Sequence, residues 1–92
     1  MRGDLIRVLS SIEEKANELK LEGYEPDVVI VGREAYEFIR EQVNEEFGGD
    51  EEVAELSGLP VRVVEEFGRD ALVVDSKVLG YENSAKRFRV VP

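Results

Sequence analysis

Carboxylates dominate the chemistry this chain could perform. Its 92 residues include 21 Asp and Glu against 12 Lys and Arg, a net charge of −9. Paired carboxylates can act as general acid and base, as in glycoside hydrolysis. Here they cluster as Glu13-Glu14, Glu45-Glu46, Asp50-Glu51-Glu52 and Glu65-Glu66, runs of the kind that form solvated faces. Asp50-Glu51-Glu52 also lacks the alternating oxygen ligands and glycine of a calcium loop. His and Cys are absent, which removes the usual general base, the commonest zinc ligand, thiolate ligands and disulfides. Ser10, Ser11, Ser57, Ser76 and Ser84 therefore have no imidazole to activate them. Ser76 and Lys77 are adjacent, and neighbours on a strand point to opposite faces. No nucleophile, base and orienter come together, so we expect a non-enzymatic protein without metal or cofactor.

Two further features could bind rather than react. Gly32-Arg33 joins an apolar strand to a helix, and a helix N-terminus can hold an anion. Neither glycine-rich nucleotide motif accompanies it, so a plain connector is the simpler account. Tyr24 and Tyr81 each stand beside a glycine in a turn. Each can cover the end of a sheet, or serve as an interface anchor.

The elements that must position these residues are legible from apolar spacing. Leu5, Leu9, Ile12, Ala16 and Leu19 line one face of a first helix, with Asp4 as N-cap and Gly23 as its stop. Ile6, Val8 and Leu21 lie outside that stripe and could widen it. Gly23-Tyr24-Glu25-Pro26 breaks the helix, and Asp27–Val31 reads as a central strand covered on both faces. Ala35, Phe38, Ile39, Val43 and Phe47 give the apolar face of a second helix, which Gly48-Gly49 ends. Asp50–Leu56 is expected as a short acidic helical turn and Ser57–Pro60 as a reverse turn. Strands follow at Val61–Glu65, Ala71–Asp75 and Arg87–Val91. The expectation is a single α+β domain over residues 1–92, with two main helices on a small mixed sheet of about four strands.

Three blocks resemble the A-domain of the major capsid proteins of tailed bacteriophages, a fold shared by the encapsulin shells. The first is Leu21-Glu22-Gly23-Tyr24-Glu25-Pro26-Asp27 leading into Val28-Val29-Ile30-Val31. The second is Leu56-Ser57-Gly58-Leu59-Pro60-Val61-Arg62-Val63-Val64, and the third is Ala71-Leu72-Val73-Val74-Asp75. Their order and spacing agree over roughly residues 10–80. Val74 and Ser76 depart from the family's usual Gly and Phe. The resemblance implies an encapsulin-like protein reduced to its A-domain, with Gly23, Tyr24, Pro26, Asp27, Gly58, Leu59, Pro60, Val61 and Asp75 as its motif residues. It also implies a structural role in self-assembly, as an oligomer or compartment.

Charge bears on partners. Residues 27–60 carry two basic and ten acidic groups, whereas residues 61–92 are slightly positive and end in Lys86, Arg87 and Arg89. Nucleic acid and anionic membranes would repel the chain, and it has neither an apolar span nor a signal-type stretch. A cytoplasmic protein that binds copies of itself is therefore expected, with a cytoplasmic cargo or partner protein as a second associate. Glu41 and Glu45 on one copy facing Lys86, Arg87 and Arg89 on the next, with Tyr81 nearby, form the candidate assembly contact. A small acidic adaptor for another protein is the alternative, and an anion- or nucleotide-binding regulator at Gly32 a third. Sixteen Glu, one Gln, one Met and no Cys also make a thermophile-like composition.

Overall fold

In the computed structural model, residues 3–78 and 84–92 are described. Helix α1 (Gly3–Leu21) leads to strand β1 (Val28–Val31), helix α2 (Arg33–Phe47), β2 (Glu55–Leu56), β3 (Leu59–Val63), β4 (Asp70–Val74) and β5 (Ala85–Arg89). Short 3₁₀ turns at Glu65–Phe67 and Ser76–Val78 flank β4. The architecture is α+β, as the sequence implies.

The five strands run in the order β2-β3-β1-β4-β5, so the Val-rich β1 is central. It pairs in parallel with β3 and antiparallel with β4, with Val29 flanked by Val61 and Val73. Val29 and Val31, with Ala71 and Val73 beside them, face both helices and are fully buried. There they meet Val8, Ile12 and Leu19 of α1 and Ala35, Tyr36 and Ile39 of α2. The period of two puts Val28 and Ile30 on the opposite face. Val28 is buried there, but Ile30 is only partly so, with Arg62 and Leu72 beside it in register. Full coverage of both faces of β1 is thus not what the fold provides.

Several element boundaries also move. Asp50–Leu56 is not a helical turn: it runs without regular structure to β2, a strand beyond the four expected. The reason lies in Ser57 and Gly58, whose φ values of 51° and 80° make a tight two-residue hairpin. That hairpin draws Leu59 and Pro60 into β3 and pairs Leu56 with Leu59. The last strand begins at Ala85, and Val90 beyond it is buried while donating to the Arg69 carbonyl. Of the residues that could widen the α1 stripe, Val8 joins the core, while Ile6 and Leu21 stay exposed. Asp4 lies in the first turn of α1 rather than capping it.

The hairpin gives a test of the Gly58 motif. A Cβ at Gly58 would meet nothing within 4 Å, so substitution there is a conformational cost alone. Gly58→Val should destabilise the protein by about 1–2 kcal/mol or more, since β-branched residues resist this region. Pro60→Ala should cost no more than about 1 kcal/mol through unfolded-chain entropy. Denaturant melts of the two variants should separate them, and equal small effects would contradict this turn assignment.

Candidate functional site

Topology gathers all three motif blocks at one end of the sheet. β1 and β3 start there and β4 ends there, because β1 is parallel to β3 and antiparallel to β4. Gly23, at φ 91°, closes α1: its N–H donates to the Lys20 carbonyl and the Tyr24 N–H to Leu19. Tyr24 is thereby turned against the core, partly buried. Pro26, Ser57 and Leu59 line one cleft with Ile12 and Ala16 of α1.

Asp27 and Asp75 form a reciprocal brace across this end. Asp27, entering β1, accepts the N–H and hydroxyl of Ser76 at 2.8 and 2.5 Å. Asp75, leaving β4, is buried and accepts the Glu25 N–H at 2.9 Å and the Lys77 N–H at 3.1 Å. The Lys77 ammonium lies 3.6 Å from Asp75 and 3.4 Å from Glu25. The Glu25 N–H chiefly holds the Asp75 carboxyl below the usual carboxylate range; desolvation opposes this, while the Lys77 N–H and charge add to it. Desolvation works against the Lys77 charge, but Asp75, Glu25 and Asp27 outweigh it and raise its pKa. The carboxylate oxygens are committed to neighbouring backbone N–H groups and the Ser76 hydroxyl, so the arrangement fastens turns together rather than presenting an acid or base.

A pH dependence follows. A carboxyl whose pKa is lower folded than unfolded adds stability that is complete above its unfolded pKa. That stability is lost as pH falls through the folded pKa. Thermal melts of wild type and Asp75→Asn should therefore differ most near neutrality and converge on acidification, below about pH 4 where the unfolded carboxyl protonates. A difference between the two that stays constant down to pH 2 would contradict the brace.

A second polar cluster escaped the sequence reading. Tyr36, Arg40 and Asn44 recur every fourth residue along α2, on one side of the helix. The Tyr36 hydroxyl donates to the Glu52 carboxylate and accepts the Val53 N–H at 3.0 Å. Arg40 pairs with Asp50 at 2.7 Å, and Asn44 accepts the Glu51 N–H at 3.4 Å. The three clamp residues 50–53 against the helix. Burial, reinforced by the Glu52 hydrogen bond, raises the Tyr36 pKa and keeps its hydroxyl a donor. The every-fourth-residue spacing was the available signal, but nothing in it announced an acidic loop as the partner.

The candidate assembly residues lie apart from the brace. Glu41 and Glu45 are exposed on α2. Arg87 and Arg89 lie on β5 beside Asp70, at 2.7 and 3.7 Å, and Arg87 also stands over the Phe67 ring, 5.2 Å from its centroid. Lys86, on the other face of β5, reaches Glu22 at 2.7 Å, which raises its pKa despite desolvation. Arg7 of α1 donates to the Arg89 and Val90 carbonyls, tying the end of β5 to the first helix. Tyr81 lies outside the described residues.

The Gly32 junction is closed by the chain itself. Gly32 has an extended φ of −72°, so it is not glycine for backbone freedom. A Cβ there would sit 2.2 Å from the backbone of Gly68. The Gly68 carbonyl accepts the Ala35 N–H at 2.9 Å, occupying part of the helix N-terminus that an anion would need. Arg33 lies 3.5 Å from both Glu37 and Glu65. No cluster of His, Cys, Asp and Glu suited to a metal occurs among the described residues, and no described helix is long and apolar enough to cross a membrane.

Comparison with known proteins places this architecture. The profile of a family described as "Putative type 4B encapsulin shell protein" matches residues 2–92. A protein of Pyrococcus furiosus bearing the same description is 32% identical over 87 residues, spanning 94% of this chain and 74% of the relative. The motif blocks, their convergence at one sheet end and the family match agree: the chain belongs to the type 4B encapsulin shell proteins.

Proposed function

We propose that this protein is a non-enzymatic building block of a self-assembled shell or ring, corresponding to the A-domain of larger capsid-type proteins. The family match over nearly the whole chain is the observation that carries this reading. The site geometry supports it, because the notable polar groups brace turns and clamp a loop rather than facing a substrate. Copies meet head to tail, the acidic outer side of α2 with Glu41 and Glu45 against the next copy's Lys86, Arg87 and Arg89. The assembly works in the cytoplasm and encloses or organises a partner protein.

Single exposed ion pairs contribute only about 0–1 kcal/mol, so several must act together, and salt screens them beyond about 8 Å. Since Arg87 and Arg89 both lean on Asp70, the reversal is better made on the acidic side. Glu41→Lys with Glu45→Lys should shift sedimentation toward smaller species, as should raising the salt concentration. A wild type that is monomeric at every salt concentration would defeat the assembly reading. An oligomer indifferent to the double reversal would defeat only the contact.

A further inference from the structure

An apolar groove of about 350 Å³ opens between the start of α1, the end of α2 and the clamped loop. Leu5, Leu9, Val43 and Val53 floor it, and Phe47 stands at its lip. Spacing alone puts Phe47 on the buried face of α2, yet it is 69% exposed. The volume falls within the range of about 300–1,000 Å³ usual for binding clefts. Every charged residue lining it is acidic: Glu51, Glu52 and Glu55. One wall is preformed, because Tyr36, Arg40 and Asn44 already hold residues 50–53 in place. A ligand entering the groove therefore does not have to order that loop.

We propose that this groove docks a basic amphipathic segment of a partner protein, its apolar side chains packing on Phe47 and Val43 and its Lys or Arg residues facing Glu51 and Glu55. Charge selects this occupant over a second copy of the chain. Two copies meeting groove to groove would bring their acidic rims together, which is repulsive. The described run that alternates two cations with apolar residues, Arg87-Phe88-Arg89-Val90, has its Phe88 and Val90 packed into its own core. The inference does not require a shell, and it uses acids other than Glu41 and Glu45.

The probe is a fluorescein-labelled 14-residue Leu/Lys peptide with leucine at helical a and d spacing, titrated with the full chain and followed by anisotropy. Two control peptides keep half of its character: Leu/Glu in the same pattern, and Ser/Lys with the same charge. Only the Leu/Lys peptide should bind well. Phe47→Ser, and separately Glu51→Lys with Glu55→Lys, should each weaken binding by about tenfold or more. Glu13→Lys with Glu14→Lys, an equal charge change on the exposed side of α1, should leave it within about twofold. All the substituted positions are exposed, so the variants should fold, and their melting curves check this. Equal weakening by the Glu13/Glu14 and Glu51/Glu55 reversals would show unspecific attraction and overturn the proposal. So would indifference to Phe47→Ser, or a Phe47→Ser variant whose only change is a smaller oligomer, which would give the groove to a second copy.

Discussion

Val29→Asp should leave the chain unfolded at room temperature, whereas Ile30→Asp should still fold with a lowered melting temperature. Val29 is fully buried between Val61 and Val73 and faces both helices. A carboxylate there has no partner and no water, a cost of several kcal/mol against a total stability of roughly 5–15 kcal/mol. The adjacent Ile30 points to the other face, half-buried and in register with Arg62, which can face an introduced carboxylate. Circular dichroism melts of both variants decide the matter. If Val29→Asp melts within a few degrees of wild type, β1 is not the centre of the core. If both unfold alike, the second face is covered more completely than the fold described here allows.

Gly32→Ala, a change of one methyl group, should be nearly as damaging. The added Cβ would lie 2.2 Å from the nitrogen and oxygen of Gly68 and 2.4 Å from the Phe67 carbonyl carbon. Overpacking costs about 1–3 kcal/mol where side chains can yield. Here the obstacle is backbone, held by the Gly32 N–H to Asp70 and the Ala35 N–H to Gly68, both at 2.9 Å. The loss should reach or exceed the top of that range. Gly3→Ala, where nothing lies within 4 Å, is the matched control and should be nearly silent. Urea denaturation of the pair measures the difference, and a Gly32→Ala variant as stable as Gly3→Ala would remove the close approach from this account.

These two cases also mark what the sequence discloses. The centrality of β1 is legible because four consecutive apolar β-branched residues fit only a strand with neighbours on both sides. Which side is the better covered is not, since that depends on Arg62 and Leu72 arriving in register from distant segments. The purpose of Gly32 is hidden for the same reason: the backbone that excludes a side chain lies 36 residues later. Apolar spacing finds both helices, but it assigns Phe47 to the core because it cannot see where the sheet ends. β2 is missed because two residues carry no period, and its pairing is imposed by the Ser57-Gly58 hairpin. The motif residues are legible only by likeness, and the fold supplies their physics. Asp27 and Asp75 are 48 residues apart and make sense only when β1 and β4 lie side by side, each acid holding the other strand's flank.

The charge pattern is plain in the sequence, but its use is not. Arg87 and Arg89 read as available cations, and the fold sets Asp70 of the adjoining strand β4 beside both. Their partly exposed guanidinium groups can still face a neighbouring copy, though with part of their charge offset at home. This makes a seam of several weak pairs more fitting than one strong contact.

The most direct test of the shell reading is a native mass spectrum of the untagged full chain, sprayed from volatile buffer at low and moderate ionic strength. A shell-forming chain gives a discrete high-mass assembly of many 10.4 kDa copies, losing subunits as ionic strength rises. A spectrum holding only the 10.4 kDa chain or its dimer at every concentration and ionic strength would contradict it.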